Sequence, residues 1–351
     1  MKFMHMADVH LGANPDAGKA YSANRGAELW DSFERALKVC EEEQVDLLLI
    51  AGDLFHRQPL LRELKDVDYL FQGMSHTRVV FIVGNHDYLK PSSYYREFPW
   101  SKNVYPLLST ELAFVEFPAL GVCVYGFSYG RREITERLYD AAYPKGNQAI
   151  EILLAHGGDE KHIPMNREKL LALGYDYIAL GHIHRPTTIE DNRICYSGSL
   201  EPTDKNDTGR HGYIMGTIEK GKVKTEFVTF AVREYIHMNV AVEKEMANRA
   251  VRGRVAEMVK AKGIQNIYKI LLTGFRQPEV LIDTENMDQY GNILEIVDAT
   301  EPAYDFDQIQ RQNRDNLLGK YIERFADSVE GSIEYEALFE GVRALLDTKR
   351  G

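Results

Sequence analysis

Residues 78–87 read RVVFIVGNHD, an apolar run of strand length that ends in an amide, an imidazole and a carboxylate. Four other runs have the same form: KFMHMADVH (2–10), DLLLIAGD (46–53), AIEILLAHGG (149–158) and YDYIALGHIH (175–184). Their continuous apolar character predicts strands that are covered on both faces. Because helical patterns lie between the first three runs, the chain is predicted to have an α/β fold.

The sequence predicts three parts. Residues 1–232 carry the five runs and form the large domain. Residues 233–302 form a small α+β domain, which we expect to act as a cap because its strand ends carry no ligand-type residues. Residues 303–351 form a C-terminal helical segment. Its apolar spacing predicts one helix that contains Phe306 and Phe325, and a second that contains Tyr335 and Leu346.

Composition narrows the class of protein. The chain has 351 residues, of which 44% are apolar and 27% are charged, which is typical of a folded globular protein. It has no apolar run of membrane-spanning length and no secretory signal, so we expect a cytoplasmic protein without a membrane segment. Cys40, Cys123 and Cys195 form no CxxC pair and are predicted to be buried free thiols.

The formal net charge of −11 argues against a general nucleic-acid coat protein, because the phosphate backbone attracts basic surfaces. It does not exclude nucleic acid at one local cleft that is loaded with metal.

Polar side chains end all five runs and should converge, because the carboxyl ends of parallel strands share one sheet edge. They are Asp8 and His10; Asp53; Asn85, His86 and Asp87; His156; and His182 and His184. Residues i and i+2 on an extended backbone point the same way. The pairs Asp8/His10 and His182/His184 are therefore each expected to bind one ion. Gly52, Gly84, Gly157 and Gly181 occur where the backbone must turn or approach a ligand closely.

The donor types predict the kind of metal. Imidazole, carboxylate and amide without thiolate favour Mn²⁺, Fe or Zn²⁺. Seven ligands exceed the needs of one tetrahedral ion, but they suit two ions about 3.5–4 Å apart that share a carboxylate and promote displacement at phosphorus. A single histidine at a strand end is more often structural, and five compatible sites in order are not expected by chance. The remaining histidines lack this context and are predicted to be structural: His5, His76, His162, His211 and His237.

The ordered motifs DVH, GDLFH, GNHD, AHGG and GHIH resemble the signature series of calcineurin-like metallophosphoesterases, over residues 1 to 200 at least. GDLFH together with GHIH, and NRDNLLGKYIERFAD at 313–327, resemble the DNA-repair exonuclease branch of SbcD-like and YhaO-like proteins. The resemblance implies a four-layer α/β/β/α sandwich with a small capping domain and C-terminal helices. It also implies two divalent ions, with Mn²⁺ expected, and a nuclease active in DNA repair and recombination.

The resemblance also assigns roles to individual residues. One ion would be held by Asp8, His10, Asp53 and His184, and the other by Asp53, Asn85, His156 and His182. His86 would face the scissile phosphate, with Asp87 fixing its tautomer and orientation. His56 would be a second histidine that faces the substrate.

The implied partners are DNA and an SMC-like coiled-coil ATPase, SbcC-like or YhaN-like, which would dock on residues 304–348. The chain has no GxxxxGK[ST] loop, so any ATP dependence must come from such a partner. The same helices could instead pack on their own domain, and a homodimer is compatible with the resemblance. Arg57, Tyr94, Arg96 and Arg185 are predicted DNA contacts, with Lys90, Tyr95, Arg131, Arg132 and Lys205 as further candidates.

Two other functions stay open. A phosphomonoesterase or a cyclic-nucleotide phosphodiesterase could use the same fold and metals, since the fold does not fix the substrate. The acidic net charge favours this alternative, whereas His56, the predicted cap and the C-terminal resemblance favour the nuclease. A non-catalytic scaffold should lack ligands, and here none is missing.

Overall fold

The strands, numbered along the chain, begin and end as follows. They are β1 (Lys2–Met6), β2 (Leu47–Ala51), β3 (Arg78–Ile82), β4 (Val104–Pro106), β5 (Ala113–Phe117), β6 (Val122–Gly126), β7 (Ile150–His156), β8 (Tyr177–Gly181), β9 (Thr187–Glu190), β10 (Ile194–Tyr196), β11 (Gly212–Glu219), β12 (Lys222–Thr229), β13 (Tyr235–Val242), β14 (Ile267–Arg276), β15 (Ile293–Asp298) and β16 (Glu301–Pro302). The α-helices are α1 (Arg25–Glu42), α2 (Leu61–Gln72), α3 (Arg167–Ala172), α4 (Asn248–Lys262), α5 (Phe306–Gln312), α6 (Leu317–Arg324) and α7 (Ile333–Asp347).

The structure, a computed structural model, describes residues 1–219 and 221–348. It divides them into two units. The first unit contains Met1–His237, Gly263–Lys269 and Gly291–Leu294. The second contains Met238–Lys262, Ile270–Tyr290 and the described residues from Glu295 onward. The sequence-based division after residues 232 and 302 stays a prediction, and its last residues, 349–351, lie outside the described part.

Two six-stranded sheets form the first unit. The order of the first sheet is β12-β11-β1-β2-β3-β4, and the order of the second is β5-β6-β7-β8-β10-β9. The strands β1 to β4 run parallel to one another, as do β6, β7 and β8. β11 and β12 form an antiparallel pair beside β1, and Lys220, which lies between them in the sequence, is outside the described residues. Antiparallel strands thus lie at one edge of the first sheet and at both edges of the second.

The two sheets pack face to face through an apolar layer. Phe3, Leu49 and Ile82 of the first sheet share one buried cluster with Val124 and Leu154 of the second. Helices α1 and α2 cover the other face of the first sheet, and α3 lies against the other face of the second. The predicted four-layer α/β/β/α arrangement is therefore confirmed.

Helix α1 shows why this layering follows from the sequence. Leu29, Phe33 and Leu37 recur at helical spacing and are all buried on the side that faces the sheet. The first turn of α2 is closed by Glu63, whose carboxylate accepts a hydrogen bond from the Leu60 N–H at 2.7 Å. The apolar stripe thus determines which face of α1 packs on the sheet, and the Glu63 cap marks where α2 begins.

A third sheet has the order β13-β14-β15, with β16 parallel to β14. Helices α6 and α7 pack on each other through Leu318, Ile322, Leu338 and Val342, and Phe306 and Ile309 of α5 pack against this cluster. The prediction of one helix that includes both Phe306 and Phe325 is wrong, because α5 ends at Gln312 and α6 starts at Leu317. The Asn316 side chain accepts hydrogen bonds from the N–H groups of Leu318 and Gly319 and so starts a new helix.

Two further sequence expectations can be compared with the structure. Cys40, Cys123 and Cys195 are free and buried, as predicted. In the described part of the chain, none of the helices combines the length and the apolar character needed to cross a bilayer.

Candidate metal centre

The seven predicted metal ligands meet where five strands end, three in the first sheet and two in the second. Asp8 and His10 follow β1, Asp53 follows β2 and Asn85 follows β3; His156 ends β7, and His182 and His184 follow β8. A chain of short distances joins them. His10 Nε2 lies 3.0 Å from His184 Nε2, and His156 Nε2 lies 2.9 Å from Asn85 Oδ1. The sequence runs therefore converge on one place between the two sheets.

The ligands form two overlapping donor groups. Donor atoms of Asp8, His10 and His184 all lie within 4.8 Å of one another, and so do those of Asp8, Asp53 and His156. Asp53 Oδ2 lies 3.5 Å from His156 Nε2 and 4.0 Å from His10 Nε2. Asp8 thus belongs to both groups, and Asp53 faces an imidazole of each.

The backbone at these strand ends is not extended. Among the described residues, eight other than glycine have a positive φ, and four of them are predicted ligands: Asp8, His10, Asp53 and His182. The Asp8 N–H donates to Gly52 O and the His10 N–H donates to Asp53 O, which holds the turns in place. Left-handed backbone is costly for such residues and is concentrated at functional sites. The expectation that Asp8 and His10 project from extended backbone is therefore wrong.

Gly84 allows the backbone to pass very close to the donors. A Cβ atom at this position would lie 2.2 Å from Asp53 Oδ1 and 2.7 Å from His156 Nε2. Any side chain would displace these groups, so the glycine before Asn85 is required by packing rather than by a positive φ.

Three of the four predicted histidine ligands are held by a hydrogen bond from their other ring nitrogen to an oxygen. His156 donates from Nδ1 to Ala51 O at 2.9 Å. His184 donates from Nδ1 to Asp207 Oδ2 at 2.9 Å, whereas His182 donates from Nε2 to Asp159 Oδ2 at 2.7 Å. Such contacts fix which nitrogen keeps its proton, so that the remaining nitrogen is the one that can give a lone pair to a metal when the ring is neutral.

His182 and His184 consequently use opposite ring nitrogens. His182 presents Nδ1, which lies 3.1 Å from Asn85 Oδ1, whereas His184 presents Nε2 toward His10. The two imidazoles therefore face different donors, and this does not favour the expectation from i, i+2 spacing that the pair binds one ion. The physical reason is again the backbone, since His182 has a φ of 93° and does not lie on a strand.

Asp159 and Asp207 are site residues that sequence reasoning missed. Both are loop carboxylates and lie outside the five apolar runs. Asp159 comes three residues after His156, and that proximity is the only signal that singles it out. Asp207 lies in the turn-rich stretch TDKNDTG, where a carboxylate usually indicates nothing more than a turn.

Burial and charge shape the titration of the central carboxylates. Burial opposes the ionisation of Asp53, but the surrounding imidazoles of His156, His10 and His86 together outweigh it and hold the pKa of Asp53 well below its ordinary value. Burial also opposes the charging of His156, yet Asp53 raises the pKa of that imidazole to about 9. Burial raises the pKa of Asp8. Asp53 is thus the carboxylate that the site keeps ionised.

Two buried oxygens test whether the site fits divalent cations. Asp8 Oδ1 and Asp53 Oδ2 are buried and have no hydrogen-bond partner among the described residues. An unpaired buried carboxylate oxygen is costly unless a cation or a donor faces it. Carboxylate, amide and imidazole donors match the ions that work in phosphoester hydrolysis. The donor set therefore fits a pair of divalent cations.

Comparison with known proteins gives the same result. Residues 1–186 match the family described as calcineurin-like phosphoesterase. The chain belongs to this family. It is a metal-dependent phosphoesterase, as the sequence predicted.

Two relatives are similar over most of this phosphoesterase. The uncharacterized metallophosphoesterase YhaO of Bacillus subtilis is 26% identical over 333 residues, which cover 87% of this chain and 79% of the relative. The DNA double-strand break repair protein Mre11 of Methanocaldococcus jannaschii is 26% identical over 354 aligned residues, which cover 92% of this chain and 94% of the relative. The solved structure of a dimetal phosphatase from Danio rerio is 14% identical, covers 66% of this chain and 99% of that chain, and gives a TM-score of 0.41.

His56 and His86 extend the metal centre of the phosphoesterase on one side. The His10 ring centroid lies 5.2 Å from that of His56 and 4.8 Å from that of His86. The His86 N–H donates to Asp53 Oδ1, and the His86 ring donates from Nδ1 to the carbonyl of His56 at 3.1 Å. These contacts place two imidazoles beside the donors, where a substrate would approach.

Asp87 does not orient His86 as predicted. Its Oδ1 accepts a hydrogen bond from the Gly84 N–H, and its Oδ2 accepts from the Phe55 N–H and the Tyr95 hydroxyl. The carboxyl is fully buried, and burial raises its pKa to about 7. Asp87 therefore joins the loop that follows β2 to the loop that follows β3. The carbonyl of His56, and not Asp87, orients the His86 ring.

The predicted DNA contacts have different environments. Arg57 makes a bidentate ion pair with Glu63, at 2.7 and 2.9 Å. Arg96 donates to Leu108 O, and Tyr94 and Arg185 are exposed. Among the further candidates, Lys90 and Arg132 line a pocket with His56 and His86. Arg131 pairs with Glu136, and Lys205 is exposed. The prediction that Tyr95 contacts DNA is wrong, because this side chain is fully buried.

The histidines that were predicted to be structural all have hydrogen-bond partners. His5 contacts the Tyr177 hydroxyl, His76 contacts Asp46, His211 contacts Ser199, and His237 contacts Lys205 O. His162 differs from them in position, because it shares the Asp159 carboxylate with His182 and its ring centroid lies 4.5 Å from that of His182. It therefore borders the metal centre.

Asp207→Asn should lower the affinity for divalent ions by about 10- to 100-fold, which is the usual effect of removing a carboxylate that orients a metal-binding histidine. Because Asp207 holds His184, which faces His10, we expect only one of two binding steps to weaken. Calorimetric titration with Mn²⁺ measures this. Asp204→Asn is the matched control, since Asp204 lies in the same loop and accepts only from Asn206. Equal affinities in both variants would contradict the role of Asp207.

Proposed function

We propose that this phosphoesterase is a DNA nuclease that hydrolyses phosphodiester bonds with two divalent cations, Mn²⁺ foremost. Asp8, His10, Asp53 and His184 would hold one cation, and Asp53, Asn85, His156 and His182 the other. The observation that carries the proposal is the pair of imidazoles, His56 and His86, on one side of these donors. Similarity to a DNA double-strand break repair protein over 92% of the chain supports the same substrate.

The proposal gives His86 a defined chemical role. A carbonyl oxygen can only accept, so the contact with His56 O requires a proton on His86 Nδ1. The Nε2 atom then accepts in the neutral ring and donates in the charged ring. From this place it can stabilise the charge that develops on the phosphate or protonate the leaving 3′ oxygen. Bound cations would polarise the phosphoryl group and lower the pKa of an attacking water.

The proposal includes partners and location. DNA would lie over the metal centre, with Arg57, Tyr94, Arg96 and Arg185 as candidate backbone contacts. An SMC-like coiled-coil ATPase would dock on the C-terminal helices, where Leu317 and Ile333 are exposed at 70% and 81%. The protein would act in the cytoplasm, in DNA repair and recombination. A homodimer is compatible with this arrangement.

The second candidate is a phosphomonoesterase or cyclic-nucleotide phosphodiesterase, which the net charge of −11 favours because an acidic surface repels a polyanion. Linear duplex DNA, a cyclic nucleotide and a nitrophenyl monoester should be incubated with the protein and Mn²⁺. We expect DNA to be cleaved, and EDTA to stop the reaction. Hydrolysis of the monoester while the DNA stays intact would contradict the nuclease.

A further inference from the structure

A pocket of about 520 Å³ lies next to the metal centre. His56 and His86 form one wall of it, and Gln58, Tyr88, Lys90 and Arg132 line the rest together with Arg57. The same two histidines cluster with His10, so the pocket and the metal centre share a wall. No carboxylate lines it. A group held here would lie beside a substrate phosphate at the metal centre.

Hydrogen bonds between two loops hold the pocket in shape. Gln58 Nε2 donates to Tyr88 O at 2.6 Å, and Ser93 Oγ donates to Gln58 Oε1 at 2.6 Å. The Lys90 N–H donates to Ser93 Oγ at 2.9 Å. The loop after β2 is thereby fixed to the loop after β3. A pocket formed in advance binds a ligand without having to order its own walls.

The charges in the pocket are unequal. Glu63 neutralises Arg57 by the bidentate pair. Lys90 has its ammonium 5.1 Å from the centroid of the Tyr88 ring, and Arg132 is exposed. Within residues 1–219 and 221–348, neither of these two cations forms an ion pair with a carboxylate. Two cations and two imidazoles without an acid make an anion site.

We propose that Lys90 and Arg132 bind the backbone phosphate that neighbours the scissile phosphate on a nucleic-acid strand. This rests on the proposed function, which places the scissile phosphate at the metal centre. A monoester and a cyclic nucleotide have no neighbouring phosphate. The pocket would therefore select polynucleotides over these small substrates, although the net charge of the chain is negative.

The salt dependence of binding tests the pocket directly. A labelled single-stranded oligonucleotide with phosphorothioate linkages, which resist hydrolysis, is titrated with the Mn²⁺-loaded protein, and fluorescence anisotropy gives the affinity over a series of salt concentrations. Each phosphate contact contributes about 0.7 to the slope of log affinity against log salt for single strands. Because Lys90 and Arg132 share one phosphate in this proposal, Lys90→Ala/Arg132→Ala should reduce the slope by about 0.7, and the affinity by roughly 5-fold at about 0.1 M salt.

Arg131→Ala is the matched control for Arg132→Ala. The two arginines are adjacent, but Arg131 is already paired with Glu136. We expect Arg132→Ala to lower the slope by part of this amount, since Lys90 still contacts the phosphate, and Arg131→Ala to leave it as in the wild type. Three results would contradict the proposal that Lys90 and Arg132 bind a phosphate. The slope could be unchanged in the Lys90 and Arg132 variants, it could fall equally in Arg131→Ala, or the wild type could fail to bind the oligonucleotide.

These results are separable from failure of the proposed function. If the slope depends on Lys90 and Arg132 but Mn²⁺ produces no DNA cleavage, the pocket is supported and the nuclease is not. If DNA is cleaved and the slopes are unchanged, the nuclease is supported and the pocket is overturned.

Discussion

Asp53→Asn is expected to lower phosphoesterase activity by at least about 10³-fold and to reduce the bound divalent ions from two to one at most. Asp53 Oδ2 is buried, has no hydrogen-bond partner among the described residues, and faces both His156 and His10. A neutral amide in its place cannot serve two cations. Metal ions contribute several kcal/mol to phosphoester hydrolysis, and each 1.4 kcal/mol is a factor of about ten.

Metal content by mass spectrometry after dialysis, together with hydrolysis of a nitrophenyl ester, measures the effect of Asp53→Asn. The substitution keeps an oxygen that can accept from the His86 N–H, so the loop need not move. Asp66→Asn is the control, because Asp66 is an exposed carboxylate on α2. If Asp53→Asn retained two ions and wild-type turnover, Asp53 would not be the shared ligand.

The fold and the ligand types could be predicted because their signals are local. A continuous apolar run that ends in Asp53 or His156 requires only that a buried strand stop at a sheet edge. Five such ends can be recognised without knowing how the strands pair. That there are two sheets came from the resemblance, and that three of the ends belong to one sheet and two to the other is seen only in the structure.

Side-chain direction could not be predicted, since it depends on backbone that is not extended. Asp8 and His182 have positive φ values, so counting alternate residues from the strand fails at these positions. Asp87 follows His86 directly, yet it points into the core toward Tyr95. Asp207 reaches His184 only because the chain folds back, at a separation of 23 residues. Tertiary contacts of this kind leave no periodic pattern in the sequence.

The break between α5 and α6 shows that apolar periodicity alone does not determine where a helix ends. Apolar spacing continues from Phe306 to Phe325, so periodicity alone predicts one helix. Asn313 and Asn316 interrupt it, and Asn316 caps the second helix with its side chain. Asparagine competes for backbone hydrogen bonds, and that local preference outweighed the apolar pattern.

His86→Ala is expected to lower kcat for DNA cleavage by about 10²- to 10⁴-fold, the usual contribution of a positioned acid or base. Metal content should not change, because His86 is not among the predicted ligands. Its side chain contacts only the carbonyl of His56 and neighbouring rings within the described residues. Single-turnover cleavage with Mn²⁺ and metal analysis of the same samples measure both quantities. His76→Ala is the control, since His76 pairs with Asp46.

The two substitutions distinguish two parts of the mechanism. Asp53→Asn should remove ions and activity together, whereas His86→Ala should remove activity while both ions stay bound. If His86 protonates the leaving oxygen, a better leaving group such as nitrophenolate should restore turnover in His86→Ala. Charge stabilisation alone predicts an equal loss for good and poor leaving groups. Equal turnover of DNA by wild type and His86→Ala, with metal bound, would contradict both roles.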